Sequence, residues 1–348
     1  MSFYALYYMS IIFLLSIDYF FKNIKFFFYI ALSLVIVISG TRYATGYDFY
    51  NYHFFYITYE NNINEPLFNL SLYVLNIFSS DSQLMFFLYS FFTIIFVYIA
   101  IKKYTKYVKT SFLIYLLIPG LYLNTFSIVR QGIAESILFL AFFYFIYKKN
   151  YKSFFVLSCI AFLFHYPVII AVSIIIIFYP LFKKQFSTTA YMIMIIISIL
   201  LYKINIATIL LGLAVGKYAA YLDMIYSVSI TKLIISNCFV IGLILFKKRF
   251  VRSTEDNFLL NIVFIGTIMI NIFADFTPVT RLSYYFLIFQ IILVPKLIYS
   301  FKSNNNKFLF LVLFVFYYSA MFSNALITDM SQEGDSNMVP YKSYFFKD

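Results

Sequence analysis

Three arginines, Arg42, Arg130 and Arg281, each close an apolar run in a chain that otherwise carries its positive charge on lysine. The other two, Arg249 and Arg252, belong to the basic segment KKRFVR. A guanidinium is a planar fork of donors that fits phosphate oxygens and stays charged at any working pH. For one such arginine, snorkelling at a membrane interface or a helix-end ion pair is an equally good reading. Three in equivalent positions favour an anion site, because charge at membrane depth is costly and tends to face a cavity.

Other polar groups fall near the same ends. His165 lies in Phe164-His165-Tyr166-Pro167, between two short apolar legs. Its imidazole could take a proton from a hydroxyl, or could bond backbone at a broken helix. His53 sits among aromatic residues and reads as loop packing. Asp48, Glu65 and Asp275 are the carboxylates nearest the arginines, each a candidate general base or arginine partner. Glu60, Asp81 and Asp223 read as solvated loop charges. Glu135 lies inside an apolar run, about one and a half turns from Arg130, where burial demands a polar cavity or a structural pairing. Tyr43, Tyr47, Tyr50, Tyr52, Tyr284 and Tyr285 suit an interfacial belt or stacking on sugar rings. Cys159 and Cys238 fall in apolar runs and read as buried small hydrophobes. With no Gly-rich phosphate loop, dinucleotide fingerprint or Cys/His cluster, neither a metal nor a cofactor is expected.

The elements that must position these groups are membrane helices. The 348 residues are 63% hydrophobic and 11% charged, more apolar than a soluble domain of this length requires. Continuous apolar runs of about 17–25 residues match the bilayer thickness. They exclude a β-barrel, whose segments are short and alternating. The expected spans begin with Phe3–Phe21, Phe26–Gly40, Gln83–Ile101 and Ser111–Ile128, the last kinked at Pro119-Gly120. A tight turn at Arg130-Gln131 leads into Gly132–Tyr147. Ser153–Phe182 is too long for one span and reads as two legs meeting near His165-Tyr166-Pro167. Phe186–Leu201, Leu233–Phe246, Phe258–Ala274, Leu282–Tyr299 and Phe308–Ala325 complete the set. Leu67–Phe78 is too short to cross. Its Leu67, Leu70, Tyr73, Val74 and Ile77 share one face, which predicts a helix lying in the interface.

The net charge of +12 reads as the positive-inside signal of cytoplasmic loops, not as nucleic-acid binding. Lys22/Lys25, Lys102–Lys109, Lys148–Lys152, Lys183/Lys184, Lys247–Arg252 and Lys296–Lys307 gather most of the 26 Lys and Arg on one side. Loops 41–82 and 202–231 and the tail 326–348 then face outward with the three isolated arginines. Both termini lie outside, after about twelve crossings in a single transmembrane domain, 1–348. The first run lacks a basic start and a small-residue cleavage site, so it reads as a span and not a cleaved signal.

An anionic, lipid-linked substrate suits this arrangement, with its diphosphate at the arginines and its lipid between spans. The motifs also resemble a known family. Arg42, Gly46, Asp48 and Tyr52 in GTRYATGYDFYNY resemble the R-x-x-x-G-x-D-x-x-x-Y signature of the EpsG-type, Wzy-like polysaccharide polymerases. Glu65-Pro66-Leu67-Phe68, Arg130-Gln131 with Ala134, and Phe164-His165-Tyr166-Pro167 are similar to further motifs of that family. So are Arg281-Leu282-Ser283-Tyr284-Tyr285-Phe286 and Val339-Pro340-Tyr341-Lys342-Ser343, all in order.

The resemblance implies a metal-independent glycosyltransferase of GT-C-like topology in the cytoplasmic (inner) membrane. It would join repeat units carried on undecaprenyl diphosphate at the outer face, moving the growing glycan onto a sugar hydroxyl of the incoming unit. Membrane lipids, a chain-length regulator and a flippase are its candidate partners. Stabilising charge on the departing diphosphate is work for arginines in a low-dielectric cleft. Arg130 and Arg281 are assigned to the diphosphate, with Arg42 in support. Glu65, Asp275 and Tyr284 are assigned to substrate binding, and either His165 or Asp48 to the base. The alternatives are an O-antigen ligase using the same donor, a lipid-linked oligosaccharide flippase without chemistry, and a membrane O-acyltransferase.

Overall fold

The computed structural model describes residues 2–20, 26–59, 64–212, 230–331 and 334–346. Lys22, Lys25, Glu60, Asp223 and the turn at Gly216-Lys217-Tyr218 lie outside the described residues. Among the described residues the chain is all-helical. Among the described residues five stretches are long and apolar enough to cross a membrane: Gln83–Tyr104, Val129–Lys148, Thr254–Ile272, Arg281–Tyr299 and Asn304–Met330. Shorter apolar helices of 10–17 residues accompany them. The chain divides into two compact units.

The first unit comprises Met1–Val168 with Leu311–Asp348. Its helices are α1 (Ser2–Phe20), α2 (Phe26–Gly40), α3 (Phe49–Thr58), α4 (Pro66–Phe78) and α5 (Gln83–Tyr104). They continue with α6 (Val108–Leu117), α7 (Asn124–Ser127), α8 (Val129–Phe143) and α9 (Tyr151–Phe164). The core helix is α8, which packs on α5 and α9. Its GIAESILFLAFF is nearly apolar all round, as a fully enclosed helix requires. Every residue from Val129 to Phe143 is buried except Arg130. Of the five residues of α4 expected on one face, Leu70, Tyr73, Val74 and Ile77 are exposed and Leu67 is half-buried, while Phe68 and Leu72 anchor the opposite side.

Local chemistry accounts for the breaks. The expected span Ser111–Ile128 is not one helix: α6 stops at Leu117, and Pro119-Gly120 terminates it rather than kinking it. Ile118 precedes that proline and is extended (φ −84°, ψ 106°), because the proline ring disfavours a helical residue before it. Arg130 lies not in a turn between spans but within the first turn of α8. The two legs expected within Ser153–Phe182 are present, α9 ending at Phe164 and α10 (Val168–Ile177) starting after Pro167. His165 between them is extended (φ −158°, ψ 105°).

The tail does not stay in solvent. Residues 336–344 return to the stretch after α2: the Gly46, Tyr43 and Tyr344 amides donate to the carbonyls of Ser336, Lys342 and Thr41. The Tyr341 hydroxyl donates to Ile38 O at 2.7 Å and the Tyr344 hydroxyl to Asp81 Oδ2 at 2.6 Å. Asp81, expected as a solvated charge, is therefore half-buried and hydrogen-bonded. Gly46 has φ +110°, and a Cβ there would stand 2.3 Å from Phe126 O, so only glycine fits.

The second unit comprises Ile169–Phe310. It holds α10, α11 (Tyr179–Phe182), α12 (Thr188–Lys203), α13 (Ile206–Gly212), α14 (Ile230–Phe250) and α15 (Thr254–Ile272). The short α16 (Thr277–Thr280) and α17 (Tyr284–Leu287) precede α18 (Gln290–Tyr299), and α19 (Asn304–Met330) begins in this unit and ends in the first. Buried amides join its helices. Asn237 of α14 and Asn271 of α15 exchange hydrogen bonds at 2.7 and 3.0 Å, and Asn271 also donates to Ser198 Oγ of α12 at 2.8 Å. Such bonds substitute for the hydrophobic drive that helices lack in lipid. Cys238 on α14 is exposed and Cys159 only half-buried, contrary to the expectation of two buried thiols. Each sits on an apolar helix, so a small sulfur side chain is tolerated at the surface.

Candidate active site

One carboxylate organises the site. Glu65 stands immediately before α4, whose first residue is Pro66, and is only 5% exposed. Its Oε2 accepts from Arg130 Nη1 at 2.5 Å. Its Oε1 bonds His165 Nδ1 at 3.1 Å and accepts the Tyr166 backbone N–H at 3.1 Å. The packing of α4 on α9 brings residues 100 positions apart into this contact. Pro167 opens the second helical leg, and the extended His165 turns its ring out of α9 toward Glu65.

Arg130 is held on several sides. Its Nε donates to the Tyr52 hydroxyl at 3.3 Å, and its guanidinium lies 5.9 Å from the Tyr52 ring and 5.4 Å from the Phe68 ring. The side chains of Arg130 and His165 remain 23% and 17% exposed. Among the described residues nothing bonds Arg130 Nη2 or His165 Nε2. The cluster thus offers a guanidinium donor and a ring nitrogen, both on part-exposed side chains bonded to one carboxylate.

Burial alone would raise the pKa of Glu65. The His165 hydrogen bond and the Arg130 charge outweigh it and hold the carboxyl below the usual glutamate range. Burial pushes the Tyr52 phenol up, against the pull of Arg130, so it stays protonated.

The remaining expected residues are distributed differently. Arg42 is 1% exposed and faces inward. It donates to Ser39 O, to Ser90 Oγ at 2.8 Å and to Phe126 O at 3.5 Å, with Phe86 and Phe126 covering its guanidinium at 5.0 and 4.9 Å. Burial lowers its pKa to about 10, so it is charged at neutral pH. Asp48 precedes α3 one turn before Tyr52, half-buried, and its charge acts on the Tyr52 hydroxyl. His53 stacks on Phe49 and bonds Ser82 Oγ at 2.6 Å, a packing role. Glu135 does not pair with Arg130: it is buried in α8, and its Oε1 has no hydrogen-bond partner. In the second unit Arg281 is half-buried and starts a 3-10 turn, Arg281–Ser283, followed by half-buried Tyr284. Asp275 there accepts from the Tyr202 hydroxyl at 3.2 Å. Among the described residues no three His, Cys, Asp or Glu side chains are grouped as a metal site would need.

A family model, EpsG, matches residues 25–343, nearly the whole length. The chain belongs to the EpsG family. That family consists of Wzy-like polysaccharide polymerases, and this member is a polysaccharide-polymerase-like membrane protein. No curated protein and no solved structure matches the chain.

One participant in this EpsG-family cluster escapes a reading of sequence. Tyr52 closes the signature that begins at Arg42, although its bond to Arg130 is visible only in the structure. The Tyr166 amide is a backbone group with no sequence signal beyond the Pro167 that follows it. The Glu65-Pro66 pair was the available clue, since a proline at the first helical position places the residue before it at a helix mouth.

Proposed function

We propose that this EpsG-family protein is a glycosyltransferase that polymerises undecaprenyl-diphosphate-linked oligosaccharide repeat units at the outer face of the cytoplasmic membrane, as part of about twelve crossings set by the positive-inside rule. The observation that carries the reading is the meeting of Arg130 and His165 on one buried carboxylate, each part-exposed and with a nitrogen left unbonded among the described residues. In the reaction a sugar hydroxyl of the incoming unit attacks the anomeric carbon of the lipid-linked growing chain. The bond from that carbon to the diphosphate oxygen breaks, and its electron pair leaves with the lipid diphosphate. Arg130 Nη2 donates to the departing diphosphate, where charge grows in the transition state. His165 Nε2 takes the proton of the attacking hydroxyl. His165 is preferred to Asp48 as base because it belongs to the cluster itself. Arg42, buried and covered by two rings, is assigned a structural role instead of meeting the diphosphate. Arg281, Asp275 and Tyr284 are proposed contacts to diphosphate or glycan.

The test is complementation of a deletion strain with Arg130→Ala and His165→Ala, read by glycan gel profile with membrane levels of protein checked. Each variant is expected to leave single repeat units in place of a ladder. A normal ladder from either at normal expression overturns the assignment. Full-length polymer retained on its lipid would indicate a ligase instead.

A further inference from the structure

Glu65 receives more hydrogen bonds than any single substrate contact needs. Its two oxygens meet three protein donors from α8 and from the α9–α10 break. An ionised carboxylate can only accept. Arg130 beside it and the bonds it receives keep it ionised, so the nitrogen of His165 that faces it must carry a hydrogen. In its neutral form the ring carries one hydrogen only. The imidazole therefore carries its hydrogen at Nδ1 and its lone pair at Nε2, the nitrogen with no partner among the described residues. We infer that Glu65 is a positioning residue, not a substrate ligand, and that it sets the His165 tautomer while spacing Arg130 from it. This deepens the polymerase reading and rests on it. Its logic is that of the carboxylate that orients a catalytic histidine in hydrolase triads. Here the same carboxylate also holds the cation for the leaving group, so base and electrophilic stabiliser share one anchor.

Glu65→Gln tests the geometry, because an amide has one acceptor where the site demands two. If its oxygen faces Arg130, its NH2 faces Nδ1 and the Tyr166 N–H. If it turns over, its NH2 faces Arg130. The sequence has two histidines, so protein labelled with 15N-histidine gives two imidazoles, and a His53→Gln background leaves His165 alone. The full chain in detergent is expected to show His165 with hydrogen at Nδ1 and a bare Nε2. In Glu65→Gln the Nε2–H form should appear or dominate. Turnover of lipid-linked repeat units should fall about 10²–10⁴-fold, as loss of a general base does. KM should change no more than about threefold, because Glu65 does not bind substrate. Glu65→Asp, which keeps two acceptors, should restore the Nδ1–H form and part of the turnover.

The inference is overturned if native His165 carries hydrogen at Nε2 or on both nitrogens, or if Glu65→Gln leaves tautomer and turnover unchanged. A rise in KM as the main effect would return Glu65 to substrate binding and also overturn it. Because the spectrum needs no substrate, the two readings fail separately. Wild-type activity of His165→Ala would sink the polymerase role of His165 while leaving the tautomer result standing.

Discussion

Arg130 occupies the first turn of α8, where the positive end of the helix dipole works against a cation. Glu65 answers that cost at 2.5 Å, and in the same position it bonds His165 at 3.1 Å. A pH dependence follows. The Glu65 carboxyl is held below its unfolded value, so its contribution to stability is present above the unfolded pKa, about 4.3. It is lost as pH falls through the lower folded value. Thermal unfolding in detergent should therefore show a midpoint that drops on acidification below about pH 4.3. Glu65→Gln should flatten that part of the curve, and equal slopes for the two proteins would contradict the assignment. The contrast with Arg42 is physical. Both are arginines at the ends of apolar runs, but two aromatic rings cover Arg42, whereas Arg130 keeps an edge open. Residue type is the same at the two positions, and packing gives them different surroundings.

At the level of elements, short and broken helices do the positioning. Pro66 starts α4, Pro119 ends the α6 segment and Pro167 separates α9 from α10. The breaks at Pro66 and Pro167 were legible in sequence, because proline acts locally through its ring and missing N–H, whereas at Pro119 the sequence predicts only a kink and the helix instead ends. The first turn of α8 was not, since nothing in Ile128-Val129-Arg130 separates a turn from a helix start. The turn before α3 is held as tightly. At Gly46 a Cβ would meet the Phe126 carbonyl, and φ is positive. Gly46→Ala should lower stability by about 1–3 kcal/mol, the usual cost of a side chain forced into such a conformation. The check is the thermal midpoint of detergent-purified protein, and an unchanged midpoint would show that the turn can relax.

In the molecule as a whole, the tail completes the first unit. The Asp329 carboxylate near the end of α19 accepts the Met338 and Val339 amides at 3.0 and 2.9 Å. Those bonds set the course by which 336–344 reaches the Arg42–Gly46 stretch. Asp329→Ala should loosen the tail, raise protease cleavage after α19 and reduce polymer yield even though residue 329 lies outside the Glu65 cluster. Unaltered cleavage and yield would make the tail dispensable. The sequence by itself determined the class of protein: all-helical, membrane-embedded, broken at His165–Pro167, with motifs of the EpsG family in order. Hydropathy and helix breaking are local properties, so they survive without coordinates. Only the tertiary structure decided that Glu65 is the shared acceptor for Arg130 and His165, that Arg42 is enclosed, and that the tail returns to the Arg42 loop. Each of those depends on which distant helices pack together, and no local propensity encodes that pairing.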